Sequence, residues 1–147
     1  KDQFYLYREF VEKYYSKELL SIFDTSFQLN DQFPLDIQYT FPFDLIRQNS
    51  KIVLYGAGAI GTNFYDIITQ KKYCQIVKWV DRRYQEIQYE NRMKIDSVDS
   101  ICNVEFDAVL IAVFDEEIVN QIKQDLMQLG IPEQKMIWSY YDYEIIY

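Results

Sequence analysis

The clearest chemical signal in the chain is Gly56-Ala57-Gly58-Ala59-Ile60-Gly61, which has the spacing G-x-G-x-x-G. Three of the chain's four glycines lie in this one turn. Each has a separate physical reason to be there. Gly56 turns the chain tightly off a strand, using backbone angles closed to other residues. Gly58 lets the backbone around Ala57, Ala59 and Ile60 approach a pyrophosphate closely enough for N–H groups to donate to it, and Gly61 lets the following helix pack tightly on the strand. The free amides and positive dipole end of such a helix hold an anion without any basic side chain. Asp81 stands twenty residues after Gly61, the offset at which a dinucleotide-binding unit places an acid for the ribose hydroxyls. Arg82 and Arg83 follow at once and leave two readings open. An arginine beside that acid meets a 2′-phosphate, or the pair sits in a solvated loop.

These residues need a strand, a helix and a second strand in register, and the chain supplies the pattern. Ile52-Val53-Leu54-Tyr55 reads as a buried parallel strand. Ile60, Phe64, Ile67 and Ile68 give the next segment one apolar helical face, and Ile76 to Val80 form a second strand ending at Asp81. Residues 82–92 are polar and predict a loop over the carboxyl edge of the sheet, with a short strand at 93–95. Ser97 or Asp99 is placed to cap a brief helix through Ile101. Residues 106–113 form the next strong strand, and Ala112 and Val113 at its end either wall a base or ribose or simply pack there. Asp115-Glu116-Glu117 opens a helix with the stripe Ile118, Val119, Ile122, Leu126 and Leu129, closed by Gly130 and Pro132. Capping and the helix dipole account for those three acids better than catalysis does. Residues 136–138 read as a last short strand, and the tail as a strand edge or the start of a further segment. Right-handed crossovers then predict an α/β, doubly wound parallel sheet of about five strands in the order 3-2-1-4-5, with its crevice between the first and fourth.

Upstream, residues 3–24 carry Phe4, Tyr7, Val11, Tyr15, Leu19 and Ile22 at helical spacing, an added N-terminal amphipathic helix. Residues 25–50 predict a connector with turns at Asn30-Asp31 and near Pro34 and Pro42, and one helical turn at 44–47. The expected division is residues 1–40, helix and connector, and residues 41–147, the nucleotide-binding domain. Residues 1–24 are expected to meet an adjacent domain of a longer chain or to form a homodimer, and the opening on Lys1 instead of methionine agrees with a domain from a longer protein. The net charge of −8 argues against nucleic acid as a partner. The absence of histidine removes His-based acid–base catalysis and Ser-His-Asp triads. Cys74 and Cys102 lack metal spacing, so no metal is expected. No leader or membrane-length apolar run is seen, and a cytoplasmic protein with reduced thiols is expected.

The segments FPFDLIRQNSKIVLYGAGAIGTNFYDII, CQIVKWVDRRY and FDAVLIAVFDEEIVNQIKQDLMQLGIPEQKMIW together resemble a small Rossmann-like module over about residues 41–138. Such modules occur in bacterial proteins of cell-surface polysaccharide and teichoic-acid assembly, attached to glycosyltransferase, methyltransferase or LicD-type domains. The resemblance implies NAD(P) or a nucleotide-sugar as ligand, with Gly56, Gly58 and Gly61 as phosphate-turn positions and Asp81 as the ribose acid. It carries over no catalytic residue. The expected role is therefore an accessory nucleotide-binding domain of a larger glycan-assembly protein. The alternatives are a nucleotide-sugar oxidoreductase or epimerase, and a ligand-free module for dimerisation or docking.

Overall fold

A computed structural model describes residues 36–146; the helix expected at 3–24 lies outside the described residues. The elements in chain order are β1 (Asp36–Tyr39), β2 (Lys51–Tyr55), α1 (Ala59–Lys71), β3 (Gln75–Val80), β4 (Ile95–Asp96), β5 (Ala108–Ile111), α2 (Glu116–Gln128), β6 (Met136–Ile137) and β7 (Tyr143–Ile146). Five of the strands make one sheet in the order β4-β3-β2-β5-β6, and every neighbouring pair is parallel. Because β1 takes no place in it, whole-chain numbering runs one ahead; counted within the sheet, the strands lie 3-2-1-4-5. Residues Tyr39–Asp142 form one compact unit, and the described residues 36–38 and 143–146 fall outside it. β1 and β7 pair as a separate two-stranded sheet.

β2 shows why the apolar run at 52–55 forms the central strand. All four residues are buried and only Lys51 is exposed, as expected when both faces of a parallel strand are covered. Val53 and Tyr55 share a core with Val80, Val109 and Ile111 of the sheet and Val119, Ile122 and Leu126 of α2. Ile52 and Leu54, at the alternate positions, therefore point to the opposite face. α1 lies on that opposite face: Trp79, next to Val80 in β3, stacks on Tyr65 of α1 with ring centroids 4.6 Å apart. Helices on both faces of a parallel sheet make this the doubly wound, Rossmann-like architecture.

α2 starts as its sequence predicts. The Asp115 carboxylate accepts from the amides of Glu117 (2.9 Å) and Ile118 (3.2 Å), satisfying two of the donors a helix start leaves unpaired. Its buried stripe is narrower than expected, with Val119, Ile122 and Leu126 buried but Ile118 and Leu129 exposed. Three other local expectations shift. The strand expected at 93–95 forms at Ile95–Asp96, because the Met93 amide donates to the Tyr65 hydroxyl (2.8 Å) and not to a ladder. The helical turn at 44–47 is a 3-10 turn at Phe43–Leu45. The brief helix after Ser97 is a 3-10 helix, Val98–Asn103, in which the Ser97 side chain makes no capping bond.

Candidate functional site

The turn between β2 and α1 is built from the three glycines, each in a different situation. Gly56 has φ +112°, and a Cβ there would lie 2.8 Å from the Ala112 carbonyl oxygen. A Cβ on Gly61 would lie 1.9 Å from the Gly56 carbonyl oxygen, so the helix sits directly against the turn and only glycine fits. Gly58 differs from both. Its φ of −83° and ψ of −155° are extended backbone that any residue adopts, and a Cβ there would meet nothing within 4 Å. The fold does not require glycine at 58; what adjoins it is open space.

That space faces the start of α1. Gly58 is its N-cap, no side chain caps the helix, and its carbonyl accepts the first helical bond from the Thr62 amide (3.0 Å). The amides of Ala59, Ile60 and Gly61 precede that bond and have no partner within the helix. With the helix dipole they make a site suited to an anion.

Asp81, at the carboxyl end of β3, is held against this turn. It is 8% exposed. One carboxylate oxygen accepts from the Ala57 amide at 2.8 Å and the other from the Arg83 amide at 2.7 Å. Each oxygen keeps one further lone pair. Arg83 stays close, its Nε 3.8 Å from Asp81. Arg82 is turned away and donates to Asp125 of α2 at 2.5 Å. Beside it lies the buried Tyr55 hydroxyl, whose pKa burial pushes up against the opposing pull of the Arg82 guanidinium. Of the two arginines, the structure brings Arg83 to the acid and commits Arg82 elsewhere.

The last two expected positions sit where the sheet's connectivity reverses. The Ala112 amide donates to the Tyr55 carbonyl at 2.8 Å, extending the β2–β5 ladder past Ile111. The Val113 side chain lies 3.6 Å from where a Gly56 Cβ would be. Gly56, Ala57, Asp81, Ala112 and Val113 thus share the carboxyl edge of the sheet, the place where open α/β sheets bind ligands.

Sequence reasoning missed the aromatic support behind the turn. Trp79 is fully buried between Tyr65 and Tyr89, with centroids at 4.6 and 5.9 Å. Its indole N–H donates to the Gly56 carbonyl (2.7 Å), and the Tyr89 hydroxyl donates to the Ala57 carbonyl (2.6 Å). Arg92 lies 5.4 Å over the Tyr89 ring and binds Asp66 through two 2.9 Å bonds. The available signal was Tyr89, the second of two tyrosines in a largely polar loop, with an arginine three residues on.

A groove of about 430 Å³ lies elsewhere, between the carboxyl end of α1 and the amino end of β3, lined by Ile68, Lys72, Cys74 and Gln75 among others. It is at the opposite end of the strands from the glycine turn and gathers no reactive group: burial pushes the Cys74 thiol up to about 11. Among the described residues no cluster of three or more His, Cys, Asp or Glu side chains is placed to hold a metal, and no helix is long and apolar enough to cross a membrane.

Comparison with known families matches residues 48–137 to the family described as C2185-like, N-terminal, and the chain belongs to that family. The match runs from just before β2 to the end of β6 and so takes in the whole parallel sheet and the glycine turn. No curated protein matches the chain.

Proposed function

For this C2185-like N-terminal domain, we propose that the carboxyl edge of the sheet binds a nucleoside diphosphate ligand, NAD(P) or a nucleotide-sugar. In this reading the domain is the accessory nucleotide-binding part of a larger bacterial glycan-assembly protein such as a glycosyltransferase. The observation that carries it is Gly58, a glycine with neither a backbone angle nor a packing contact that demands one. It sits at an uncapped helix start, beside a buried carboxylate at the end of the next strand. Close approach of a diphosphate explains a glycine there. A family defined as an N-terminal domain supports a longer parent chain, and the glycan-assembly setting rests on the resemblance over residues 41–138.

Thermal unfolding in the presence of NAD, NADP, UDP-sugars and CDP-linked ligands tests the reading, because a ligand that binds only the folded state raises the midpoint. A second reading, a ligand-free scaffold, is favoured by one observation: the Ala57 amide and Asp81 already satisfy each other inside the protein. On that reading every ligand leaves the midpoint unmoved.

A further inference from the structure

We infer that a pyranose ring binds at the carboxyl end of β5, on a shelf made by Trp138 and Tyr140 with Glu116 at its rim. This rests on the reading of the glycine turn as a diphosphate site and names the group that the diphosphate carries.

Tyr140 is 71% exposed, yet it is fixed at two points. Its hydroxyl donates to the Glu116 carboxylate, and its ring meets Trp138 edge-on, with centroids 4.8 Å apart and planes at 64°. Trp138 is fixed in turn. Its indole N–H donates to the Val113 carbonyl at 2.7 Å, and it packs edge-on against Tyr141 at 6.4 Å. Tyr141 is buried and donates to the Ile111 carbonyl at 2.6 Å. An aromatic ring facing solvent and held in one orientation presents a ready contact surface at little cost in conformational freedom.

The chemistry of the shelf selects its occupant. A pyranose has an apolar C–H face that lies on an aromatic ring and a rim of hydroxyls that donate to a carboxylate. Trp138 and Tyr140 supply the first and Glu116 the second. The negative charge of Glu116 makes the shelf unsuitable for the phosphates, which go to the amides of α1. Position agrees with this division. Val113, whose carbonyl holds Trp138, has its side chain beside Gly56, so the shelf continues from the turn along the same edge.

The test is calorimetric titration of the protein with UDP-glucose, UDP-N-acetylglucosamine and GDP-mannose, each against its bare diphosphate, and of NAD against ADP-ribose. We expect at least one nucleotide-sugar to bind about tenfold more tightly than its diphosphate, on the scale of a well-placed aromatic contact. Y140A should erase that gap and leave the bare diphosphate unchanged, while Y140F should keep most of it; the exposed position lets both variants fold. Equal affinity of every sugar and its diphosphate in the wild type overturns the inference and leaves the nucleotide reading standing. So does a gap that Y140A leaves intact, or one that appears only between NAD and ADP-ribose, which gives the shelf to nicotinamide. Failure of all these ligands to bind removes the diphosphate reading and the shelf with it.

Discussion

The carboxylate of Asp81 accepts from the amide of Ala57 at 2.8 Å across twenty-four residues of sequence, tying the end of β3 to the turn after β2. The same carboxylate takes the Arg83 amide through its other oxygen. Asp81→Asn keeps only one acceptor oxygen, so one of the two amides faces an NH₂ group. Leaving a buried donor unpaired costs about 1–3 kcal/mol. Urea unfolding should show a lower midpoint with an unchanged slope, and an unchanged midpoint would mean that this tie does not hold the turn.

Glycines 61 and 58 should behave in opposite ways. Gly61→Ala forces a Cβ to within 1.9 Å of a backbone oxygen, and backbone cannot yield as the tip of a side chain does. The loss should reach the upper end of the about 1–3 kcal/mol typical of overpacking. Gly58→Ala meets open space and should change stability by less than about 1 kcal/mol, the scale of an altered N-cap. Thermal unfolding of the two variants side by side checks the contrast; equal losses would mean that the turn relaxes around residue 61.

Asp115→Ala removes the carboxylate that accepts from the Glu117 and Ile118 amides. The expected cost is about 1 kcal/mol, read by chemical denaturation. Asp115→Asn should recover most of it, because an amide oxygen caps nearly as well.

The two thiols should differ in reactivity. Burial raises Cys74 to about 11, whereas Cys102 is exposed. The thiolate is the reactive form, so iodoacetamide near pH 8 should label Cys102 first. Cys74 labelling should keep accelerating as pH rises toward about 11. Peptide mass mapping at several pH values reads both rates, and faster labelling of Cys74 at pH 8 would contradict its burial.

Much of this architecture was legible in the residues because it rests on short-range patterns. The run at 52–55, the stripe on α2 and its Asp115 cap each declare themselves within a few residues, and connection handedness then leaves few sheet orders. The glycine turn was equally plain in its spacing, and local sterics demand glycine at two of its three positions, 56 and 61. Pairings between distant side chains were not legible. Nothing local to Arg82 points to Asp125, forty-three residues on. Nor does the polar loop at 82–92 announce that Tyr89 returns to the Ala57 carbonyl. The strand slip from 93–95 to Ile95–Asp96 has the same origin, a bond from Met93 to a helix tyrosine.

Ligand binding at this edge turns on Gly58 facing the diphosphate. Its most direct test is calorimetric titration of wild-type protein and Gly58→Ala with NAD, NADP and the nucleotide-sugars. At least one of them should bind the wild type saturably and one-to-one, and bind at least tenfold more weakly (about 1.4 kcal/mol) to a variant whose melting point is nearly unchanged. No heat from any ligand with the wild type, or equal affinity for wild type and variant, would contradict this reading.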